Sequence, residues 1–294
     1  MLKGIIPNLL TPMTVEGRPD IQGIERLVNF VIDKGVGGIW LLGSAGEDIH
    51  ISLDDRVTVT KTVATAAGGR VPIVAGLGQS SWYDLVTYAD AVKDTDISAF
   101  HYLPYDLKMD DETLQNYVIK LSKNLPFPLW LYHNTKRGRP ITLAMVRSLR
   151  DLPDIAGIKV GGYSLTELTR FLMQEQPGFQ VSGAGGGQIF PMLSMGAKLH
   201  MTSDANCYPE EFVKMFELFS KNKLDEALQL QHRLIALSSS IPRNGNGEHS
   251  AEEKYILKLR GVIEEHVNPA YCMLSENEKN KVQSSLKKYG FEWM

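Results

Sequence analysis

Short apolar runs recur along this chain at Ile5–Leu10, Gly38–Leu42, Val71–Ala75, Ile97–Leu103, Phe127–Tyr132, Ile155–Val160, Phe179–Ser182 and Leu199–Thr202. Each is too short for a helix and has the length of a buried strand. Between them lie stretches of helical periodicity, at Ile21–Lys34, Leu53–Ala67, Trp82–Lys93, Asp111–Lys123, Leu143–Leu149 and Leu165–Gln174. In the first of these, Ile24, Leu27, Val28 and Val31 fall on one stripe. Asp20 and Ser52 fit N-caps, and Gly35 and Gly68 fit helix stops. Successive runs start roughly 20–35 residues apart, which suits one right-handed crossover per unit. The alternation therefore predicts an α/β fold with a parallel sheet.

An open doubly wound sheet usually has fewer strands and a Gly-rich dinucleotide turn after the first. Here Thr11-Pro12 follows the first run, and eight runs predict a (β/α)8 TIM barrel. After Thr202 the texture changes. Pro209–Asn222, Leu224–Ser238, Ala251–Val267 and Ser275–Tyr289 read as consecutive helices with no strand between them. The first closes the barrel, so the expected division is a barrel over residues 1–222 and a C-terminal helical extension over residues 223–294. The polar stretch Pro242–Glu248 reads as a mobile loop within that extension.

Composition narrows the function. A formal net charge of −3 offers no basic face for nucleic acid. Two cysteines, Cys207 and Cys272, make no disulfide framework and fit a reducing cytoplasm. The amino terminus lacks the apolar core of a signal peptide. No apolar run approaches the ~20 residues that span a bilayer. The chain reads as cytoplasmic, with no membrane partner.

In a barrel, residues at the carboxyl ends of the strands converge on one face. The stretch Asp154–Gly162 delivers one lysine, Lys159, to the end of the sixth run. A desolvated lysine is an amine nucleophile; the alternative is a lysine that merely marks the strand's exit into water. The second run ends in Gly43-Ser44-Ala45-Gly46-Glu47. Two glycines free that backbone to aim N–H groups and a hydroxyl at a carboxylate, or simply make a tight βα turn. Tyr132, ending the fifth run before His133 and Asn134, offers a proton-relaying phenol or just an aromatic strand end.

The seventh run leads into Gly183–Gly187, which gives room for a substrate more than a phosphate cradle, and the eighth into Ser203-Asp204. The seven histidines include no His-x-His pair and no His-Glu-x-x-His helix, so no metal site is predicted. There is no Gly-x-Ser-x-Gly elbow either. Elimination leaves the lysine.

Thr11-Pro12, Gly43–Glu47, Pro72–Gly76, Leu103-Pro104-Tyr105, Leu131-Tyr132, Gly157-Ile158-Lys159 and Ser182-Gly183 occur in this order. In them the chain resembles the dihydrodipicolinate synthase / N-acetylneuraminate lyase superfamily of class I, Schiff-base-forming aldolases. The resemblance runs through essentially the whole chain. It implies a covalent imine between Lys159 and a small-molecule 2-oxo acid such as pyruvate, with no other cofactor, and an aldehyde as second partner. It makes Tyr132 the acid/base group. Ser44 binds the carboxylate, with Gly43 and the N–H of Ala45 in the same turn. Arg137, Gly183, Ser203, Asp204, Tyr105 and Asp106 become substrate-binding positions. A homotetramer built as a dimer of dimers, or a homodimer, is implied, with Tyr105 and Asp106 near an interface.

Several positions depart from the family pattern. Ala45 replaces a second hydroxyl residue, and Asp106 stands where the synthases carry a tyrosine lent across subunits. Gly185 and Gly186 replace the sialic acid lyases' Asp-Glu pair. Ser203 aligns with the strand-eight serine of sugar-acid aldolases, and Lys254 with a lysine of the synthases' extension. These departures point to a hydroxylated, 2-keto-3-deoxy sugar acid-like substrate, cleaved or dehydrated through the same imine. The alternatives are a dihydrodipicolinate synthase with an altered proton relay, and a non-catalytic 2-oxo acid binding protein.

Overall fold

The computed structural model describes residues 1–78, 81–242 and 250–291. Eight parallel strands alternate with helices to form a (β/α)8 barrel, and a helical extension follows. The strands are β1 (Gly4–Pro7), β2 (Ile39–Leu41), β3 (Ile73–Gly76), β4 (Ala99–Tyr102), β5 (Leu129–Asn134), β6 (Ile155–Gly161), β7 (Gln180–Ala184) and β8 (Leu199–Thr202). Their order is β1-β8-β7-β6-β5-β4-β3-β2. The seam between β1 and β2 closes through Gly37 N–H to Ile5 O (2.9 Å) and Leu9 N–H to Trp40 O (2.8 Å).

Helices α1 (Ile21–Asp33), α2 (Leu53–Ala67), α3 (Trp82–Ala91), α4 (Asp111–Ser122), α5 (Leu143–Leu149) and α6 (Leu165–Leu172) occupy the predicted stretches. The α1 stripe packs inward, with Ile24, Leu27, Val28 and Val31 all buried. Ser52 caps α2 by accepting the Asp55 N–H, whereas the Asp20 side chain makes no cap bond and faces Arg26 instead. Helix α7 (Ile189–Ser194) is invisible in the periodicity because it has only 6 residues and contains Pro191. A single turn, α8 (Asp204–Cys207), separates β8 from α9 (Pro209–Ser220). Left-handed Asn222 (φ 58°) ends that helix, and Lys223 N–H folds back on Leu218 O at 2.9 Å.

The extension comprises α10 (Leu224–Ser240), α11 (Ser250–Leu259) and α12 (Glu276–Lys288). Helix α11 stops short of the predicted Val267 because Gly261 turns left-handed (φ 70°). Val262 N–H then closes on Leu257 O at 3.0 Å, a glycine stop within an otherwise continuous pattern. Of the loop predicted at Pro242–Glu248, residues 243–248 lie outside the described residues. No helix among the described residues is long and apolar enough to cross a membrane.

Strand pleating divides the core. On β6, Ile158 and Val160 pack outward against the helices, while Lys159 points into the barrel. On β5, Trp130 and Tyr132 face in, and Leu129 and Leu131 face out. Gly157 is bare for a reason: a Cβ there would meet Trp130 Cη2 at 2.9 Å and Gln180 O at 2.4 Å. The extension is not loosely attached. Lys254 of α11 donates to Glu47 Oε1 at 2.6 Å, with both side chains fully buried, and Glu47 Oε2 accepts the Asn268 N–H at 2.8 Å. Gln231 of α10 donates to Gly186 O at 2.9 Å, beyond β7.

Stripping one partner from a buried ion pair leaves the other charge uncompensated. Lys254→Met is expected to lower stability by about 3–5 kcal/mol in urea titrations at pH 7. A loss below about 1 kcal/mol, the range of an exposed pair, would show that the pair does not fasten the extension.

Candidate active site

Lys159, Tyr132 and Ser44 arrive at the carboxyl ends of β6, β5 and β2, and the register that pairs Tyr132 with Lys159 puts two of them side by side. Lys159 is 2% exposed. Its Nζ donates to Asn8 Oδ1 at 2.9 Å and lies 4.3 Å from the Tyr132 ring centroid and 4.9 Å from that of Trp40. An amine so placed is screened from water on two sides by aromatic faces.

The Tyr132 hydroxyl sits 3.3 Å from Ser44 Oγ and accepts from Asn134 Nδ2 at 3.3 Å. Burial pushes the phenol's pKa up, against the opposing pull of those two hydrogen bonds, so Tyr132 is a protonated acid at neutral pH. Ser44 opens a single 3-10 turn, Ser44–Gly46, closed by Gly46 N–H to Gly43 O (2.9 Å) and Glu47 N–H to Ser44 O (3.1 Å). The N–H groups of Ser44 and Ala45 precede those bonds, the arrangement that serves an anion at a turn's start. The turn is held from below, where Thr11 Oγ1 donates to Gly46 O at 2.8 Å. Glu47 itself is left-handed (φ 60°), a conformation held by its pairing with Lys254.

Arg137 donates to Ser44 Oγ and, at 3.0 Å, to Asp48 Oδ1. Tyr105 donates to the other Asp48 oxygen at 2.6 Å. The structure thus joins Lys159, Tyr132, Ser44, Ala45, Gly43, Arg137 and Tyr105 at one mouth. The remaining predicted residues lie elsewhere on the rim. Asp106 is exposed, and its Oδ1 accepts the Lys108 N–H at 2.9 Å. Gly183 lies within β7 beside His200, whose ring a Cβ would crowd at 3.0 Å. Ser203 O accepts from Asn206, and Asp204 Oδ2 accepts from Thr202 Oγ1 at 2.9 Å. Asp204 lines a separate cavity of about 120 Å³ between the β7 and β8 exits and helices α10 and α11, a space that Lys159, Tyr132 and Ser44 do not border.

Several neighbours were not anticipated from sequence. Asn8, inside the apolar run Ile5–Leu10 and directly after β1, holds the amine. Trp40 and His101 stack with ring centroids 4.0 Å apart beneath it, and His101 Nε2 donates to Leu41 O at 2.9 Å. His200 Nε2 donates to Gly185 O at 2.8 Å. Asp48 follows the Gly43–Glu47 motif directly, and only its position marks it. Desolvation, aided by the nearby Lys159 charge, drives His101 well below its usual pKa and His200 down to about 4. Both imidazoles are therefore held neutral, His101 stacked on Trp40 inside the barrel and His200 on the outward face of β8 beside Gly183. Among the described residues no group of three or more His, Cys, Asp and Glu could hold a metal ion.

A barrel that buries one strand-end lysine against a phenol is the architecture of a Schiff-base lyase. A model described as the dihydrodipicolinate synthetase family matches residues 1–289, and this chain belongs to that family. It is an enzyme of the family's Schiff-base lyase type. Among its relatives, the 4-hydroxy-tetrahydrodipicolinate synthase of Persephonella marina is 26% identical over 99% of both chains. That of Flavobacterium psychrophilum is 27% identical over 93% of this chain and 94% of its own. Two solved structures share the fold. YagE, a prophage protein from E. coli K12 in complex with pyruvate, superposes with a TM-score of 0.92 at 22% identity, covering 98% of this chain and 99% of its own. A catalytic-lysine mutant of the sialic acid aldolase of Ruminococcus gnavus does so with 0.91 at 20% identity, covering 98% and 96%.

The buried imidazoles carry a pH signature. Unfolded, His200 takes a proton below pH 6.5; folded, only below about 4. Between these values the unfolded chain holds more protons, so stability falls as pH drops through that window. The loss from His200 alone is expected to reach about 3 kcal/mol. Denaturant titrations from pH 7 to 4.5 should give a shallower fall for His200→Gln than for the unaltered protein; identical slopes would contradict a neutral buried His200.

Proposed function

We propose that this protein is a pyruvate-type class I aldolase that cleaves or forms a 2-oxo acid with a hydroxylated, 2-keto-3-deoxy sugar acid-like tail. The observation that carries the reading is the burial of Lys159 Nζ against the Tyr132 ring, with the phenol's hydroxyl 3.3 Å from Ser44 Oγ. In this reading the amine attacks the C2 ketone, and the substrate carboxylate sits on the Ser44 and Ala45 N–H groups. Tyr132 gives its proton to the carbinolamine oxygen, which leaves as water and yields a protonated imine. The cation then draws the C3–C4 bonding electrons toward nitrogen as the C4 hydroxyl returns its proton to Tyr132. An aldehyde departs, an enamine remains, and protonation at C3 followed by hydrolysis releases pyruvate and the lysine. Removal of a C3 proton from the same imine, followed by loss of the C4 hydroxyl as water, would make the enzyme a dehydratase.

A second reading, dihydrodipicolinate synthase, is favoured by the names of the relatives. Two observations weigh against it. Asp106, at the position of the synthases' relay tyrosine, is exposed and occupied with the Lys108 N–H. Arg137, where synthases hold an aldehyde carboxylate, already carries Asp48. For the assembly we infer a dimer of dimers or a homodimer joined near Tyr105 and Asp106, where Leu107 lies 70% exposed. Sedimentation at micromolar concentration should return a multimer that Leu107→Glu weakens; a monomer at all concentrations would contradict it.

Borohydride added with pyruvate should leave a reduced adduct on the Lys159 peptide, and Lys159→Ala should abolish it. Tyr132→Phe should lower kcat about 10²–10⁴-fold, the usual contribution of a positioned acid–base group. An unmodified Lys159 peptide at saturating pyruvate would turn the reading toward a non-catalytic binding protein.

A further inference from the structure

The mouth of the site holds an ion pair that the Schiff-base chemistry does not use. Asp48 and Arg137 meet at 3.0 Å with side chains only 4% and 14% exposed. All three oxygens of Asp48 are engaged: one carboxylate oxygen accepts from Arg137, the other from Tyr105 at 2.6 Å, and its backbone carbonyl from buried Arg56 at 2.6 Å. Arg137 also reaches Ser44 Oγ, which in turn lies 3.3 Å from the Tyr132 hydroxyl. The guanidinium is therefore two hydrogen bonds from the phenol, in the path of whatever substituent extends past it.

We infer that Asp48 is a specificity-determining residue that makes this site select a neutral, hydroxyl-bearing aldehyde portion and reject one carrying a second carboxylate. The inference rests on the aldolase reading above. A carboxylate on the tail gains most from Arg137 through two parallel N–H bonds. Here it must displace Asp48 and leave that charge almost fully buried beside its own. Like charges forced together in a desolvated site are a strong means of rejection. A hydroxyl meets no such conflict, since the pair presents an acceptor in Asp48 and donors in Arg137. Tyr105 reinforces this, because burial and the Asp48 charge hold its phenol protonated as a neutral donor. Asp48 neutralises the Arg137 guanidinium, so the pair itself offers no net positive charge to a second anion.

Calorimetric titration with a matched pair of ligands tests this. 2-Oxoglutarate and 2-oxopentanoate have the same carbon chain, and only the first ends in a carboxylate. The unaltered protein should bind 2-oxopentanoate more tightly. Asp48→Asn, which keeps the shape and removes the charge, should shift the ratio of the two Kd values toward 2-oxoglutarate by about tenfold or more. An unchanged ratio overturns the inference, and so does equal tightening of both ligands, which would mean that Arg137 holds the 2-oxo acid's own carboxylate. Should Asp48→Asn fail to fold, the unaltered protein decides: kcat/KM for pyruvate with glyceraldehyde should exceed that with succinic semialdehyde, and the reverse order refutes the role of Asp48. Binding ratios are read whether or not an imine forms. A missing Lys159 adduct therefore sinks the aldolase reading alone.

Discussion

The structure turns on holding one ε-amine, that of Lys159, out of water at the mouth of the barrel. Water is excluded by geometry: the closed sheet surrounds Lys159, and Trp40 and Tyr132 lie against it at 4.9 and 4.3 Å. Aromatic faces attract a cation through the ring quadrupole without adding a formal charge. Such surroundings tolerate a positive charge on nitrogen without a carboxylate beside it. Asn8 sets the direction of the nitrogen at 2.9 Å. The glycines that make room for this aromatic layer are structural necessities. A Cβ at Gly76 would meet His101 at 2.7 Å, and one at Gly157 would meet Trp130 at 2.9 Å.

The extension reaches the same mouth through Glu47, at the end of the turn that carries Ser44. Through Lys254 and the Asn268 N–H it fixes both carboxylate oxygens of Glu47. That residue holds the left-handed end of the turn carrying Ser44. A buried ion pair is a poor source of net stability, because desolvating two charges offsets most of their attraction. Its value here is positional: the turn that carries Ser44 cannot shift without exposing or orphaning a charge. The barrel and extension are accordingly one functional unit, even though the chain pattern divides them.

Much of this was legible in the sequence, for identifiable reasons. Parallel strands buried on both faces read as short apolar runs, so all eight were visible, and the lysine near the end of Ile155–Val160 stood out as the one charge in such a run. Helix α7 was not visible because 6 residues with an internal proline carry no period. The end of α11 was misplaced because one glycine, Gly261, stops it. Lys159, Tyr132 and Ser44 could be placed near one another from the sequence because strand ends converge. Asn8, Trp40 and His101 could not, since a polar or aromatic residue inside a strand looks the same whether it lines a pocket or fills a core. Asp48 escaped for a related reason: its importance lies in Arg137 and Tyr105, 89 and 57 positions away in the chain.

The central claim is that Lys159 is the group that binds the ketone covalently. A crystal of the unaltered protein soaked in pyruvate tests it most directly. The account predicts continuous electron density from Lys159 Nζ to C2 of the ligand, with the carboxylate on the Ser44–Ala45 turn. Pyruvate bound elsewhere, or lying in the barrel mouth with C2 at van der Waals distance from an unmodified lysine, would contradict it.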